Sequence, residues 1–451
     1  MEAAWKNYLS YSSINFGFSL LGMTASMLLM YYYTDVLLLP ASAVGVILLL
    51  SRMFDGVVDP FLGHYMDKRT TKFGKYRGYV IYWAPAACVA FVLMFSTVPF
   101  TGIGKTLWCL LLNLTFMLTF SFVEIASLPM LASFDTAKSR LAGNTLKISG
   151  CIAATLLVAM FAFKLVKILG NGLEVPGYTR MALLFGGVAL AALLLGGLGF
   201  REGDYADTTH TAEIEDNYTA KEAIFTVLRE KSILFVLLMY LCLDAASAFK
   251  IQAGIYYLKY NLERQDLTSL FLTSSIAMSL LTQPLVFYCA RRVGVRFLMV
   301  YGCAASAAAM LMIGLSGSSV ALLIAGNCLF GVASAFPANL IFAYMVDLFE
   351  GLGKKRGKPF GGVANAFIGL SSRVGGSLAS ALLSLILLAT AYTPNKEQAG
   401  LALWGIAAGF IILPVLLLIL GSVFAALSFR TFEAEANLLH SCTLLSNKAG
   451  A

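Results

Sequence analysis

The sequence predicts an all-α membrane protein with twelve transmembrane helices in two six-helix bundles and both termini in the cytoplasm. Of its 451 residues, 59% are hydrophobic and 12% are charged, about half the charged fraction of an ordinary soluble domain. The apolar residues fall into long runs, and the basic residues gather in alternate loops between them. A chain of this composition is solvated by lipid, and its net charge of +8 therefore says little about nucleic acid.

The twelve predicted spans follow from length and composition, because a helix that crosses a bilayer needs about 20 mostly apolar residues. They lie at 14–37, 41–66, 78–99, 105–131, 142–168, 179–200, 232–260, 266–290, 297–316, 318–348, 360–392 and 399–428.

The loops predict the orientation and the domain layout. Lysine and arginine cluster after the second, fourth, eighth and tenth spans, and such loops stay in the cytoplasm. The long polar segment 201–231 divides the spans into two sets of six. We therefore expect an N-terminal bundle at 1–200, a cytoplasmic linker with a short amphipathic helix at 201–231, a C-terminal bundle at 232–429 and a cytoplasmic tail at 430–451.

Two acids in the second span are the most informative residues. Asp55 and Asp59 lie four residues apart in an otherwise apolar stretch, so they share one face of a helix. Two like charges in lipid cannot both stay ionised unless a cation joins them, and otherwise one takes up a proton. The pair is therefore predicted to bind a cation or a proton. The alternative is a structural pair neutralised by Arg52 or by a distant lysine.

Further polar side chains lie within the predicted spans, where ionisable residues usually mark a pathway or a partner. We expect acids of the first bundle to pair with bases of the second, as a switch for alternating access. Asp347, at the end of the tenth span, is expected to pair with Lys354 or Arg356 at the cytoplasmic rim. The other members of this set are Ser121, Glu124, Lys147, Asp244, Lys250 and Arg373.

Several stretches resemble the glycoside–pentoside–hexuronide:cation symporters of the major facilitator superfamily. The resemblance covers nearly the whole chain and is carried by "MYYYTDV" (30–36), the pattern R-x-x-D-x-x-x-D-P (52–60), "KFGKYR" (72–77), Glu124, Arg373 and "YTPN" (392–395). It implies a monomeric transporter in the plasma or inner membrane that moves a small sugar-like solute together with H⁺ or Na⁺.

The resemblance also implies roles for individual residues. Asp55, Asp59, Ser121 and Glu124 would form the cation site. Glu124 would also contact the sugar, as would Lys147. Arg373 falls where the family has a lysine that closes the cation site.

The departures from the family pattern concern substrate and ion. Ser19 stands where sugar-carrying members have an aspartate, and Leu128 and Pro337 stand where they have pocket tryptophans. Val58 replaces an amide beside the second acid, and Na⁺ needs several oxygen ligands. The sequence therefore favours H⁺ over Na⁺.

Lys250 has two interpretations. It either snorkels or pairs with Asp244, or it faces the cavity with Lys147 and Arg373 and makes an electropositive pocket for an anionic substrate. We include Ser19, Lys250 and Arg373 among the candidate substrate residues, with Glu124 and Lys147. Arg52, Asp244, Asp347 and Arg373 are the candidate gating residues.

Three function classes remain open at this point. The first is a cation-coupled symporter of a glycoside, sugar acid or related solute. The second is a cation-coupled lysophospholipid transporter, which fits the absence of the family's sugar-gripping acid and tryptophans. The third is a non-transporting membrane scaffold or sensor, for which the acid pair has no use. No nucleophile–base set, metal cluster or phosphate loop is recognisable, so we expect neither an enzyme nor a cofactor.

Overall fold

A computed structural model describes residues 2–127, 129–134, 137–202, 229–317, 319–356 and 361–449. These residues are almost entirely helical, which confirms the predicted all-α class. The helices are α1 (Glu2–Tyr31), α2 (Ala41–Asp67), α3 (Arg77–Met94), α4 (Gly102–Ser127), α5 (Ala137–Gly170), α6 (Glu174–Gly199), α7 (Lys231–Tyr256), α8 (Thr268–Val293), α9 (Val295–Gly314), α10 (Val320–Arg356), α11 (Gly361–Ala389), α12 (Gly400–Ala407) and α13 (Leu413–Ala449).

Within these ranges, 10 helices are long and apolar enough to cross a membrane. The other two predicted spans are also helical. They correspond to α2, which carries Arg52, Asp55 and Asp59, and to α11, whose apolar part is Arg373–Ala389. The total of twelve spans and the cytoplasmic position of the termini stay predictions.

The chain forms two compact units. The first contains residues 1–213, 251–276 and 380–407, and the second contains 214–250, 277–379 and 408–451. Most of the segment 201–231, including the predicted amphipathic helix, lies outside the described residues. The predicted division into two bundles at this segment stays a prediction.

In the first unit, α1 packs against both α5 and α6. Glycines permit this close approach. A Cβ built on Gly196 of α6 would lie 2.7 Å from the Ser10 carbonyl oxygen, and one on Gly150 of α5 would lie 2.7 Å from that of Ser12. Small residues at such crossings let helix backbones come together in lipid. These glycine contacts bring α1 close enough to α5 for Ser19 to lie beside it.

The second unit is built on α9, which packs against α10 and α13. Its apolar core includes Met239, Met299, Ile341 and Phe429. Large apolar side chains also lie on the outer surfaces of helices in both units. Examples are Ile103 and Leu195 in the first unit and Leu281 in the second, as expected for helices that face lipid.

The turn before α3 is tied to the end of α6. The carboxylate of Glu202 accepts hydrogen bonds from the backbone N–H groups of Lys75 (2.6 Å), Tyr76 (2.8 Å) and Arg77. Gly74 has φ +127°, and a Cβ there would collide with this carboxylate. Glu202 thus satisfies N–H groups that the first turn of a helix leaves without partners.

Candidate transport site

Asp55 is the centre of the site that α2 and α4 build in the first unit. Its side chain is buried, with 4% of the residue exposed. Ser121 of α4 donates a hydrogen bond from Oγ to Asp55 Oδ1 at 2.6 Å. A hydroxyl that donates to an ionised carboxylate stabilises the charge, so α4 contributes directly to the electrostatics of the α2 acid.

Asp59 lies one turn further along α2 and is half-buried, with its Oδ1 atom shielded from solvent. Arg52 lies one turn before Asp55 and is also half-buried. The helix therefore carries Arg52, Asp55 and Asp59 on one side, at the spacing predicted from the sequence.

Aromatic stacking fixes α4 at this point. Phe122, next to Ser121, stacks on Trp83 of α3 with ring centroids 4.0 Å apart and an interplanar angle of 3°. The ring of Tyr79 also stacks with that of Phe122, with centroids 6.4 Å apart. Trp83 is thereby engaged within the protein, and the stack helps to hold the Ser121 hydroxyl in register with Asp55.

Three of the predicted substrate residues converge from α1, α4 and α5. Ser19 is buried, and its hydroxyl lies near the Cys151 thiol of α5. Lys147, one turn before Cys151, lies within electrostatic range of Glu124 of α4. The first unit therefore places Lys147 near Glu124, and Ser19 near Cys151 one turn further along α5.

Lys250 lies in the second unit and is buried, with 3% of the residue exposed. Its Nζ donates to Asn327 Oδ1 at 3.0 Å and lies 4.2 Å from the centroid of the Phe330 ring. An amide oxygen and an aromatic face both stabilise an ammonium group. The sequence missed Asn327 and Phe330 because an asparagine and a phenylalanine in an apolar helix carry no pattern of their own.

Asp244 and Arg373 lie near the crossing of α7 and α11 in the same unit. A Cβ built on Gly375 would lie 2.6 Å from the Leu241 carbonyl oxygen and 3.4 Å from Asp244 Cβ, so the two helix backbones nearly touch. Arg373 is half-buried two residues away. The expected switch pairs between first-bundle acids and Arg373 or Lys250 would join residues of different units and stay a prediction. The side chain of Asp347 and residue Leu128 lie outside the described part of the chain.

A second polar cluster, which the sequence reasoning missed, surrounds Asp35 in the first unit. Lys259 forms an ion pair with Asp35, with Nζ 2.9 Å from Oδ1, while Asp35 itself is 1% exposed. Tyr260 and Tyr392 also donate to this carboxylate. The signal was present, since Asp35 and Tyr392 belong to the motifs "MYYYTDV" and "YTPN", but neither motif showed that they meet.

No group of three or more histidine, cysteine or acidic side chains that could hold a metal occurs among the described residues. The site offers carboxylates, hydroxyls and ammonium groups inside helices. Such groups bind ions and polar solutes, and their burial among membrane-spanning helices is typical of a membrane transporter.

The comparisons identify the family. The model of the family described as MFS/sugar transport protein matches residues 10–429, and the chain belongs to this family. It is accordingly an integral, multi-pass membrane transporter and not an enzyme, as the sequence predicted, and the relatives and the apolar helices support the expected plasma or inner membrane.

Curated relatives align over almost their full length. The chain is 25% identical to an uncharacterized symporter, YnaJ, of Bacillus subtilis (strain 168), over 92% of this chain and 89% of the relative. It is 25% identical to the isoprimeverose transporter of Lactiplantibacillus pentosus, over 96% and 90%. It is 25% identical to a putative sulfoquinovose importer of Escherichia coli (strain K12), over 92% and 88%.

Solved structures share the fold at low identity. A D-xylose–proton symporter superposes with a TM-score of 0.63 at 14% identity, over 92% of this chain and 96% of the other. A bacterial homologue of the human lysosomal transporter Spinster superposes with a TM-score of 0.67 at 12% identity, over 96% and 97%. These superpositions agree with the family match, and the fold is that of the MFS/sugar transport family.

Proposed function

We propose that the protein is a cation-coupled symporter that moves a glycoside, a sugar acid or a related small solute across the membrane by alternating access. The observation that carries the proposal is the buried Asp55–Ser121 hydrogen bond with Asp59 one turn away. Burying a carboxylate within membrane-spanning helices is costly, and an acid pair at helical spacing there has a clear use as a reversible cation or proton site.

The coupling ion is bound by Asp55 and Asp59, with Ser121 and Glu124 beside them. A proton needs only the carboxylates, whereas Na⁺ needs several oxygen ligands. Val58 supplies none between the two acids, which favours H⁺. The names of the relatives as symporters support a coupling ion in general.

Each unit contains its own candidate residues for binding the solute. Ser19, Glu124 and Lys147 supply a hydroxyl, a carboxylate and an ammonium group in the first unit, the mixture of donors and acceptors that sugar hydroxyls require. Lys250 and Arg373 supply positive charge in the second unit. The sulfonated sugar named for one relative is an anion, and the positive groups of this chain suit a substrate of that kind.

A binding screen with purified protein in detergent tests the proposal, because a ligand of the folded state raises its melting temperature by mass action. The panel contains isoprimeverose, methyl glucuronide, sulfoquinovose and lysophosphatidylcholine, each with and without Na⁺ and at two pH values. We expect a sugar to stabilise the protein, more strongly at the lower pH, and the Asp59→Asn variant to lose the pH effect.

Asp266→Asn is the matched control, since it removes an exposed acid of the same type and should respond like the parent. If lysophosphatidylcholine were the only member of the panel to stabilise the protein, the substrate would be a lysophospholipid and not a sugar. An unchanged ion response in Asp59→Asn would refute the assignment of the acid pair as the coupling site.

A further inference from the structure

The helices α1 and α7 end in the same unusual way. Each runs into a five-residue π-helical turn, Tyr32–Val36 after α1 and Tyr257–Asn261 after α7. Each turn is followed by a non-glycine residue in the left-handed region, Leu38 with φ 57° and Glu263 with φ 54°. Isolated π turns are frequent at functional sites.

The hydrogen bonds of the two turns also correspond. Leu37 N–H donates to the Tyr32 carbonyl and Leu262 N–H to that of Tyr257, at 2.8 and 3.1 Å. The next bonds, Leu39 to Tyr33 and Arg264 to Leu258, measure 2.9 and 2.8 Å. In this register Asp35 of the first turn is the counterpart of Tyr260 in the second, so equivalent positions of two repeated elements carry an acceptor and a donor.

These equivalent residues meet in one network within the first unit. Asp35 Oδ1 accepts from Lys259 at 2.9 Å and from Tyr260, while Oδ2 accepts from Thr34 and Tyr392, both at 2.8 Å. An ionised carboxylate has about four acceptor positions, and four donors converge on this one.

The segment 392–395 closes the network from the α11–α12 connection. Asn395 donates from Nδ2 to the Asp35 carbonyl oxygen at 2.7 Å and accepts from Lys259 Nζ at 2.7 Å. Its backbone N–H donates to the Tyr260 hydroxyl at 3.0 Å. Three segments that are far apart in the chain are thus fastened at one point.

This arrangement has two favourable states and an unfavourable intermediate. With the donors in place, the buried charge of Asp35 is compensated. If the segments separate fully, water solvates both Asp35 and Lys259. A partial separation leaves charges that are neither paired nor hydrated, which is costly. The network therefore favours a discrete opening rather than a gradual one.

The network lies at the ends of α1 and α7 that are remote from the lysine-rich loops, hence on the predicted external side. Behind it, Gln252 lies two turns before Lys259 on α7, about 10 Å along the helix axis. Its side chain is buried and donates to Ser380 Oγ at 2.9 Å.

We propose that Asp35, Lys259, Tyr260, Tyr392 and Asn395 form the external gate of the transporter. The paired π turns hold the gate residues, the Asp35–Lys259 pair locks it, and solute from outside enters only after this pair has separated. The proposal rests on the alternating-access function proposed above and adds the residues that control one side of it.

The test measures access to Gln252→Cys by a membrane-impermeant maleimide added to the outside of right-side-out vesicles, quantified by peptide mass spectrometry so that native cysteines do not interfere. We expect Asp35→Asn and Lys259→Gln each to speed this reaction about ten-fold, the effect of losing one charge-assisted hydrogen bond. Tyr260→Phe removes a neutral donor and should give a smaller increase in the same direction.

The native Cys151, next to the candidate substrate residues of the first unit, reports on access from the cytoplasmic side when the reagent is added to inverted vesicles. An opened external gate shifts the population away from cytoplasm-open states, so labelling of Cys151 should slow in the same variants. Asp266→Asn breaks the exposed Arg264–Asp266 pair in the connection between α7 and α8, close in sequence to Lys259 and Tyr260. This control should change neither rate.

An external rate within two-fold of the parent would overturn the gate, and so would a rise of both rates together, because that marks local unfolding instead of gating. The measurement uses neither sugar nor coupling ion. Suppose that no sugar stabilises the protein, while the gate variants still speed labelling of Gln252→Cys and slow labelling of Cys151. This result would refute the proposed substrate but not the gate.

Discussion

Asp55 and Ser121 form a contact whose replacement can reveal the coupling ion. If H⁺ is the ion, Ser121→Ala removes a donor that stabilises the ionised carboxylate, and proton binding should become tighter. Uptake of a sugar from the screen would then reach half its maximum at a higher pH than in the parent. The pH dependence of uptake into proteoliposomes measures this.

If Na⁺ is the ion, Ser121→Ala should have the opposite effect on ion affinity. It removes an oxygen ligand and should weaken Na⁺ binding about ten-fold. Ser149→Ala is the control, since that hydroxyl is exposed and donates only within α5, to Thr145. A pH profile and a Na⁺ dependence that both match the parent would contradict a role for Ser121.

Lys250 provides a test of substrate charge. Lys250→Met keeps the length of the side chain and removes the ammonium group. Affinity for sulfoquinovose or methyl glucuronide should fall by about ten- to a hundred-fold, the range for a hydrogen bond to a charged group, while affinity for isoprimeverose should stay nearly unchanged. Binding in detergent, measured by isothermal titration calorimetry, distinguishes these results.

A structural Lys250 gives a different result. The variant would then lower the melting temperature of the ligand-free protein and weaken the binding of all sugars alike. Lys164→Met, which removes an ammonium group from an exposed position on α5, controls for the general loss of a positive charge.

At the scale of the helices, close packing of α1 on α6 depends on Gly196. A Cβ at this position would lie 2.7 Å from the Ser10 carbonyl oxygen, so Gly196→Ala forces the two backbones apart. We expect a destabilisation of about 1–3 kcal/mol, typical of overpacking. Gly187→Ala on the same helix meets nothing within 4 Å and should be neutral or stabilising, by up to about 1 kcal/mol. Thermal unfolding in detergent compares the two, and equal melting temperatures would contradict the packing.

Glu202 connects the end of α6 with the start of α3. Glu202→Gln removes the charge that three N–H groups share, and this should cost about 1 kcal/mol, as for a helix N-cap. Hydrogen exchange of the amides of residues 75–77 should accelerate, whereas Glu397→Gln, an exposed acid elsewhere, should leave those amides as they are. Unchanged exchange in Glu202→Gln would show that the cap adds nothing to local stability.

Elements of this protein differ in how far the sequence predicted them. The α2 acids were readable because charge in an apolar run with a spacing of four residues has few physical explanations. The Lys250 contacts and the Asp35 network were not readable, since both depend on which helices meet. Asp35 and Lys259 lie at span ends, where the sequence gives charge no special meaning, and the π turns leave no trace in apolar periodicity.

For the whole molecule, composition and loop charge were sufficient for the all-helical membrane class, and the family match confirmed it. The resemblance motifs, from residue 30 to residue 395, lie within the range 10–429 that the family model matches, which explains why the class was accessible at low identity to relatives. Substrate and ion were not accessible, because they depend on a few side chains at positions where this chain departs from the family pattern.

We propose that the α2 acids couple solute movement to an ion. The most direct test is uptake into proteoliposomes of the panel sugar that gives the largest stabilisation, under an imposed proton or Na⁺ gradient, in the parent and in Asp59→Asn. We expect Asp59→Asn to lose gradient-driven accumulation yet still to exchange internal for external sugar, because exchange needs no net movement of the ion. Accumulation by Asp59→Asn at the parent's level would contradict it.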